Sequence, residues 1–432
     1  MCRLKNARRK FPTGRPAEDK CGNLPHMITL VGVLSVIALV LPGSLPGMEE
    51  LRMALRWNVT TLDADFPGGY QVQAADVNGD GRIDVVGLGT TVAWLESPAW
   101  RKHPITGALT RDNIDLAAYD IDGDGKLEIA IASGFQLDDS TAGGNVSWFH
   151  RAADLDQPWT EHHIDSYPTA HRLRWADVDG SGHKVLVCAP ILGRGSKKPQ
   201  YDQSPAPLML YRIPKDPAKD PWPRQIVDQA LHITHGLLIL DFDGDGREEI
   251  LTASLEGVSL FHSTGTQDNL KWTRTLLCAG EQSSIPGSGA SEVQVGRLVN
   301  GNRFIATIEP WHGDEVAVYL ESPGKGGPWQ RIPVDSTFNE GHALAVIDLD
   351  GDGGDEIVAG FRGKRHGVVA YRAADSTGLR WEKEIIDEGG IACQGFFIAA
   401  LSGAGGMQPG AKSIIGIGGA THNVKRYEVM SR

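Results

Sequence analysis

The chain has 432 residues, 41% hydrophobic and 22% charged, with 53 glycines and a net charge of −12. That is a globular profile rich in turns. So acidic a chain lacks the surplus of Lys and Arg that a phosphate backbone needs, which argues against nucleic acid, and it suits a chain that holds divalent cations.

Residues 1–26 carry seven Lys/Arg against Glu18 and Asp19, and residues 27–41, "MITLVGVLSVIALVL", carry no charge. A basic stretch, a short apolar run and then "PGSLPG" is the order of a secretory signal. The run is shorter than the ~20 residues a membrane span needs. No clean small-x-small cleavage site follows, so an uncleaved anchor is the alternative. A buried core helix is the third reading, disfavoured because no helical period precedes the run. Residues 1–47 are therefore read as a signal or anchor segment, and an exported protein, periplasmic or extracellular, is expected. Membrane contact is expected only through such an anchor. Without that segment the net charge is about −17, and only Cys188, Cys278 and Cys393 remain. Three widely spaced cysteines make neither a disulfide framework nor a CxxC pair.

From residue 55 onward the chain repeats. Trp-led segments recur at Trp57, Trp100, Trp159, Trp222, Trp272, Trp329 and Trp381, from "LRWNVTTLD" to "LRWEKEIID". Each alternates polar and apolar positions, as a strand wet on one face does. Between them lie apolar strands joined by Asp/Gly turns, such as "ADVNGDGRIDVVGLG" and "YDIDGDGKLEIAIASG". Two copies, at 295 and 398, are eroded, and a third strand follows each turn unit. Four strands per repeat of roughly 43 to 63 residues is a propeller signature. The predicted fold is all-β: a seven-bladed propeller over 55–429. Its blades lie near 70–106, 114–165, 170–228, 231–279, 289–335, 339–387 and 391–429. The last unit has no Trp-led strand after it, so residues 55–63 are expected to complete it and close the ring.

The Asp/Gly turns offer oxygen ligands at alternate positions, with an acid at the ninth, as a calcium loop does. The sets are Asp76, Asn78, Asp80, Asp84; Asp120, Asp122, Asp124, Glu128; Asp241, Asp243, Asp245, Glu249; and Asp348, Asp350, Asp352, Glu356. The third repeat keeps only Asp177 and Asp179. A Gly-rich turn held by Asx hydrogen bonds without an ion is the plain alternative.

Aligning the innermost strands on these turns places Tyr70, Ile114, His171, His235, Glu292, His342 and Gln394 at one level. Inner strands line a propeller's channel, so these side chains should ring one end of it. His171, His235 and His342 make a metal-binding composition for a Zn- or Mg-like divalent ion, with Glu292 adding charge as a fourth ligand or a base. A polar, water-filled channel is the plain alternative. The loops after the second strands should emerge at the same end, bringing Arg194, Lys198, Tyr201, Trp311, His312, Arg365 and His366 to the mouth.

"PGGYQVQAADVNGDGR", "AHRLRWADV", "PGSGASEVQVGRL", "EPWHGDEVAVY" and "NEGHALAVIDLDGDG" resemble the N-terminal propeller of the fungal aldos-2-ulose dehydratases. More broadly the chain is similar to the FG-GAP/VCBS repeat proteins. The resemblance runs through nearly all of 55–429. It implies dehydration of a keto-sugar such as 1,5-anhydrofructose at a metal-assisted site. The fungal enzymes carry cupin domains after the propeller for isomerisation. The sequence has none before Arg432, so only the dehydration half is expected to carry over. Removing water needs a base for the α-proton and an acid for the leaving hydroxyl. His312 is the expected base and Tyr201 the acid, with Arg365 beside them. The same constellation would serve β-elimination of a uronate. A non-catalytic propeller that binds glycans or protein partners is the competing reading.

Overall fold

The computed structural model describes residues 55–322, 328–399 and 412–430. The basic and apolar leader expected over 1–47 lies outside them.

The described residues form seven four-stranded antiparallel sheets and one two-stranded ribbon, Glu281–Gln282 with Ser288–Gly289, with one short 3-10 turn at Gln267–Asn269. Each four-stranded sheet is one blade, and in the first six the strands run in chain order from the innermost outward. The innermost strands are Gln71–Ala75, Asp115–Tyr119, Ala170–Ala176, Gly236–Leu240, Glu292–Arg297, Gly341–Ile347 and Cys393–Ala399. Each touches the next, and the seventh touches the first, so the sheets close a ring. The seven-bladed propeller read from the repeat is the observed fold.

The apolar residues explain the closure. Seven of the apolar core clusters are each shared between consecutive blades. Leu186 and Tyr211 of blade 3, for example, pack with Ala130 and Trp148 of blade 2. Apolar side chains on a sheet face must meet another face, and here only a neighbouring blade offers one.

The strand Trp57–Asp63 completes the seventh blade from the other end of the chain. It pairs antiparallel with Asn423–Val429, from Trp57 opposite Val429 to Thr61 opposite Lys425. A register shift between Thr61 and Asp63 leaves Leu62 as an extra residue. Its side chain is buried with Phe66, Val72, Ile417 and Val424 of the first and last blades. The Trp57 indole N–H donates to Glu384 Oε1 at 2.8 Å.

Candidate functional site at the channel mouth

A recurrent backbone device aims side chains into the channel. Gly68, Asp112, Thr169, Ile233 and Glu340 have φ between 48° and 63°. Each sits two residues before a ring position: Tyr70, Ile114, His171, His235 and His342 respectively. A left-handed residue there turns the chain sharply into the innermost strand. Ile233 is β-branched, a type that rarely adopts this conformation, at a cost of about 1–2 kcal/mol. Burial of its side chain at 1% exposure offsets that cost.

A second device acts on the strands themselves. In blade 3 the register slips between Ala170 and Arg172, in blade 6 between Gly341 and Ala343, and in blade 7 between Cys393 and Gly395. The extra residues are His171, His342 and Gln394. A bulged residue leaves the pleat's alternation, which re-aims its side chain.

These devices bring together side chains from five blades. His171 and His235 have ring centroids 4.7 Å apart, His235 and His342 4.9 Å. His312, from the loop after the second strand of blade 5, lies 4.8 Å from His235 and 5.1 Å from His342. Ring nitrogens of His235, His312 and His342 lie within 4.8 Å of one another.

The hydrogen-bond partners assign the tautomers. Arg362 Nη2 is 3.1 Å from His312 Nδ1, and a guanidinium can only donate. His312 therefore carries its proton on Nε2, 3.2 Å from His235 Nε2, which accepts. His235 Nδ1–H points at the Ser291 carbonyl, 3.1 Å, and Glu292 Oε1, 2.9 Å. A second chain is parallel to the first. His342 Nδ1–H donates to the Gln394 carbonyl at 2.6 Å, leaving Nε2 to accept from the Tyr70 hydroxyl at 3.1 Å. The Tyr70 oxygen in turn accepts from His171 Nε2 at 3.2 Å. His171 Nδ1 is then a bare lone pair, and it is buried with no partner.

One ion pair sits beside the imidazoles. Arg172 Nη2 donates to Glu292 Oε1 at 2.9 Å and Arg172 Nε to the His235 carbonyl at 3.0 Å. Arg172 Nη1 is buried without a partner. Burial, aided by the Arg172 guanidinium, holds His171 and His235 well below the usual imidazole range. Burial and Arg362 do the same to His342. Burial, His235 and Arg362 depress His312 likewise. Burial raises the Glu292 carboxyl against the pull of Arg172, and raises the Tyr70 phenol. Four neutral imidazoles are thus held close together, and unprotonated nitrogen is the form that ligates metals.

The expected residues do not all converge. Tyr70, His171, His235, Glu292, His342 and His312 do. Trp311 lies tilted against His312, centroids 4.9 Å apart, and Tyr201 lies edge-on to Trp311 at 5.5 Å. The Tyr201 ring is buried with Ile191, Leu192 and Ile233 in an apolar wall. Its hydroxyl, however, faces Lys198 and Asp138, an exposed pair. Arg194 reaches the Thr141 carbonyl and the Tyr167 ring. His366 reaches the Gly389 carbonyl, and Arg365 is exposed. The arginine that touches the cluster is Arg362, three residues earlier. Sequence reasoning missed it, gave Arg172 no part, and gave Tyr70 no role beyond its place in the ring. The signal available for Arg172 was its adjacency to His171. For Arg362 it was its position just past the strand Glu356–Phe361.

The Asp/Gly turns connect the inner strands away from these ring positions. In each complete turn the first Asp accepts from backbone N–H groups, as Asp76 does from Gly79, Asp80 and Gly81. The ninth residue closes the turn from below: Asp84, Glu128, Glu249 and Glu356 accept from Val77, Ile121, Phe242 and Leu349. Burial beside the other turn acids pushes Asp84 up to about 6, Glu128 to about 7 and Glu356 to about 8. Both Asp120–Asp122–Asp124 and Asp241–Asp243–Glu249 bring carboxylate oxygens within 4.8 Å of one another.

The fold and the site define a seven-bladed propeller with a buried imidazole cluster at one end of its channel. Residues 143–322 match the model of the aldos-2-ulose dehydratase beta-propeller domain. That stretch holds His171, Arg172, His235, Glu292 and His312, while Tyr70, His342 and Arg362 lie outside it. The chain is 27% identical over 346 residues to aldos-2-ulose dehydratase of Phanerodontia chrysosporium, covering 73% of this chain and 37% of that protein. The chain thus spans well under half of its curated relative. Among solved structures, the BBS1N chain of a complex with ARL6DN aligns with a TM-score of 0.50 at 11% identity, covering 85% of this chain and 94% of that one. The second likeness is one of fold alone.

Proposed function

We propose that this propeller is a carbohydrate-active carbon–oxygen lyase that removes water from a keto-sugar at the channel mouth. The observation that carries the reading is the convergence of four neutral imidazoles, three buried and one half-buried, beside a carboxylate–guanidinium pair, on a chain similar to a sugar dehydratase. The basic-then-apolar leader supports export.

The donor set fits a divalent ion. His235 and His342 each commit Nδ1–H to a carbonyl or carboxylate, the arrangement that leaves Nε2 for a metal. His171 adds an unpartnered buried lone pair. His235 and His342 would hold the ion through Nε2, and Glu292 would orient His235. When bound there, such an ion polarises a carbonyl oxygen as a Lewis acid. His312 takes a different part from the one its type suggests. Because Arg362 fills its Nδ1, it presents N–H rather than a lone pair. A neutral imidazole in this state donates a hydrogen bond to a developing oxyanion. Glu292, raised by burial, is the proton acceptor at the α-carbon. Tyr70 is the nearest hydroxyl that can protonate the leaving group. One C–H and one C–O bond break, a C=C bond forms next to the carbonyl, and water leaves.

The test is to incubate the purified protein with keto-sugars, 1,5-anhydrofructose among them, and with uronates, following absorbance of the conjugated product. The parent should form it, and His235→Ala and Tyr70→Phe should each lose at least a hundredfold in rate. Product from uronates alone would move the reading to polysaccharide elimination. No product from any substrate, with glycan binding retained, would establish the non-catalytic alternative.

A further inference from the structure

In four blades a residue at or near the end of the third strand faces the Asp/Gly turn, and its chemistry varies. In blade 1 it is Glu96, which accepts from Asn78 Nδ2 at 3.3 Å. In blade 6 it is Arg372, whose Nη1 reaches Asp350 at 3.5 Å. In blades 2 and 4 it is a histidine. His150 Nε2 lies 3.4 Å from Asp122 Oδ2, and His262 Nδ1 lies 3.1 Å from Glu249 Oε1. The turns are therefore chemically unequal. Blade 6 already carries a fixed cation, and in blade 4 the imidazole Nδ1 lies 3.1 Å from the ninth-position carboxylate and 3.9 Å from Asp243 Oδ2.

Blade 2 differs from both. Glu128 is 1% exposed, and its Oε2 accepts from Ile121 at 2.9 Å. Its Oε1 is buried and has no partner. A carboxylate oxygen so placed calls for a donor or a cation. Ligand atoms of Asp122, Glu128 and His150 lie within 4.8 Å of one another, as do those of Asp120, Asp122 and Asp124. Asp122 belongs to both groups. Around it, Asp120 accepts from Gly123 and Gly125, Asp122 Oδ1 from Asp124 N–H, and Asp124 from Lys126. Those bonds shape the turn and leave Asp122 Oδ2 beside His150 Nε2 and Glu128 Oε1 without a partner.

We propose that the blade 2 turn is a mixed nitrogen–oxygen site for a divalent ion of the zinc class, with His150, Glu128 and Asp122 as ligands. Calcium takes oxygen ligands only, whereas imidazole selects borderline transition ions. The half-exposed His150 side chain gives the site an entry from solvent.

The channel cluster would also take such an ion, so the test uses His235→Ala/His342→Ala as the parent. Zn2+ is titrated into this protein against a chromophoric chelator. Adding His150→Ala should remove one zinc equivalent or weaken its binding at least tenfold, and Glu128→Gln should do the same. His262→Ala should change neither. Thermal stabilisation by Ca2+ should persist in His150→Ala. An unchanged zinc stoichiometry and affinity in His150→Ala would overturn the proposal, as would stabilisation by Ca2+ with no saturable zinc uptake. His150 is a surface residue, so its removal leaves the fold intact, and either result bears on the blade 2 site alone.

Discussion

Replacing Arg172 with Met should destabilise the ring by about 3 kcal/mol, and the structure shows where that cost arises. The Arg172 side chain is 3% exposed and Glu292 15%, with 2.9 Å between them. Breaking a buried pair by removing one partner costs about 3–5 kcal/mol, because the remaining charge is buried and uncompensated. The lower end applies here, since the His235 Nδ1–H at 2.9 Å still serves Glu292. For a ring of about 375 residues the unfolding entropy is roughly 0.8 kcal/mol/K, so the midpoint should fall by about 4 °C. Glu292→Leu should cost a similar amount by stranding the guanidinium. The double variant Arg172→Met/Glu292→Leu should then lie closer to the parent than either single variant. Differential scanning calorimetry at neutral pH reads all four proteins. A shift under about 1 °C for Arg172→Met, or strict additivity in the double variant, would refute the claim that the two form one buried unit.

Other expectations follow from the same contacts. Leu62→Ala should lower stability by about 2–5 kcal/mol by emptying the closure's apolar anchor, read by urea denaturation. A cost near zero would mean that the N-terminal strand does not latch the ring. Gly313 closes the turn that presents His312, and a Cβ there would overlap the Glu309 carbonyl. Gly313→Ala should therefore reduce turnover at least tenfold while moving the unfolding midpoint little, and unchanged turnover would refute that role. Asp335 is held below the usual carboxylate range: burial opposes ionisation, but hydrogen bonds from Lys383, Tyr371 and Thr337 outweigh it. A depressed folded-state pKa contributes stability above the unfolded value and loses it as pH falls. The deficit of Asp335→Asn should thus be full above about pH 4 and shrink below it in acid titrations of stability. A deficit that is constant with pH would contradict this.

The ring was legible because it is written seven times. Recurring Trp-led strands marked the outer edges, and the lack of one after the last unit pointed to Trp57–Asp63. The Asp/Gly turns fixed the register of the inner strands, which is why Tyr70, His171, His235, Glu292 and His342 could be placed at one level. The devices that aim them were not legible. Bulges at His171, His342 and Gln394 and left-handed residues such as Ile233 leave no periodic trace in a sequence. The loops were read least well. They have no period, and only its place directly after the strand Glu356–Phe361 set Arg362, which holds His312, apart from the exposed Arg365. Tyr201 was placed near the mouth, yet which way its hydroxyl turned depended on Lys198 and Asp138, contacts that only the folded chain defines.

Diffraction at the zinc absorption edge, from crystals grown with that ion, addresses the central idea most directly. The account predicts an anomalous peak at coordination distance from Nε2 of both His235 and His342, and none there in His235→Ala. Solvent alone at that position in the zinc-grown crystals, with the Tyr70 and His312 hydrogen bonds still in place, would contradict it.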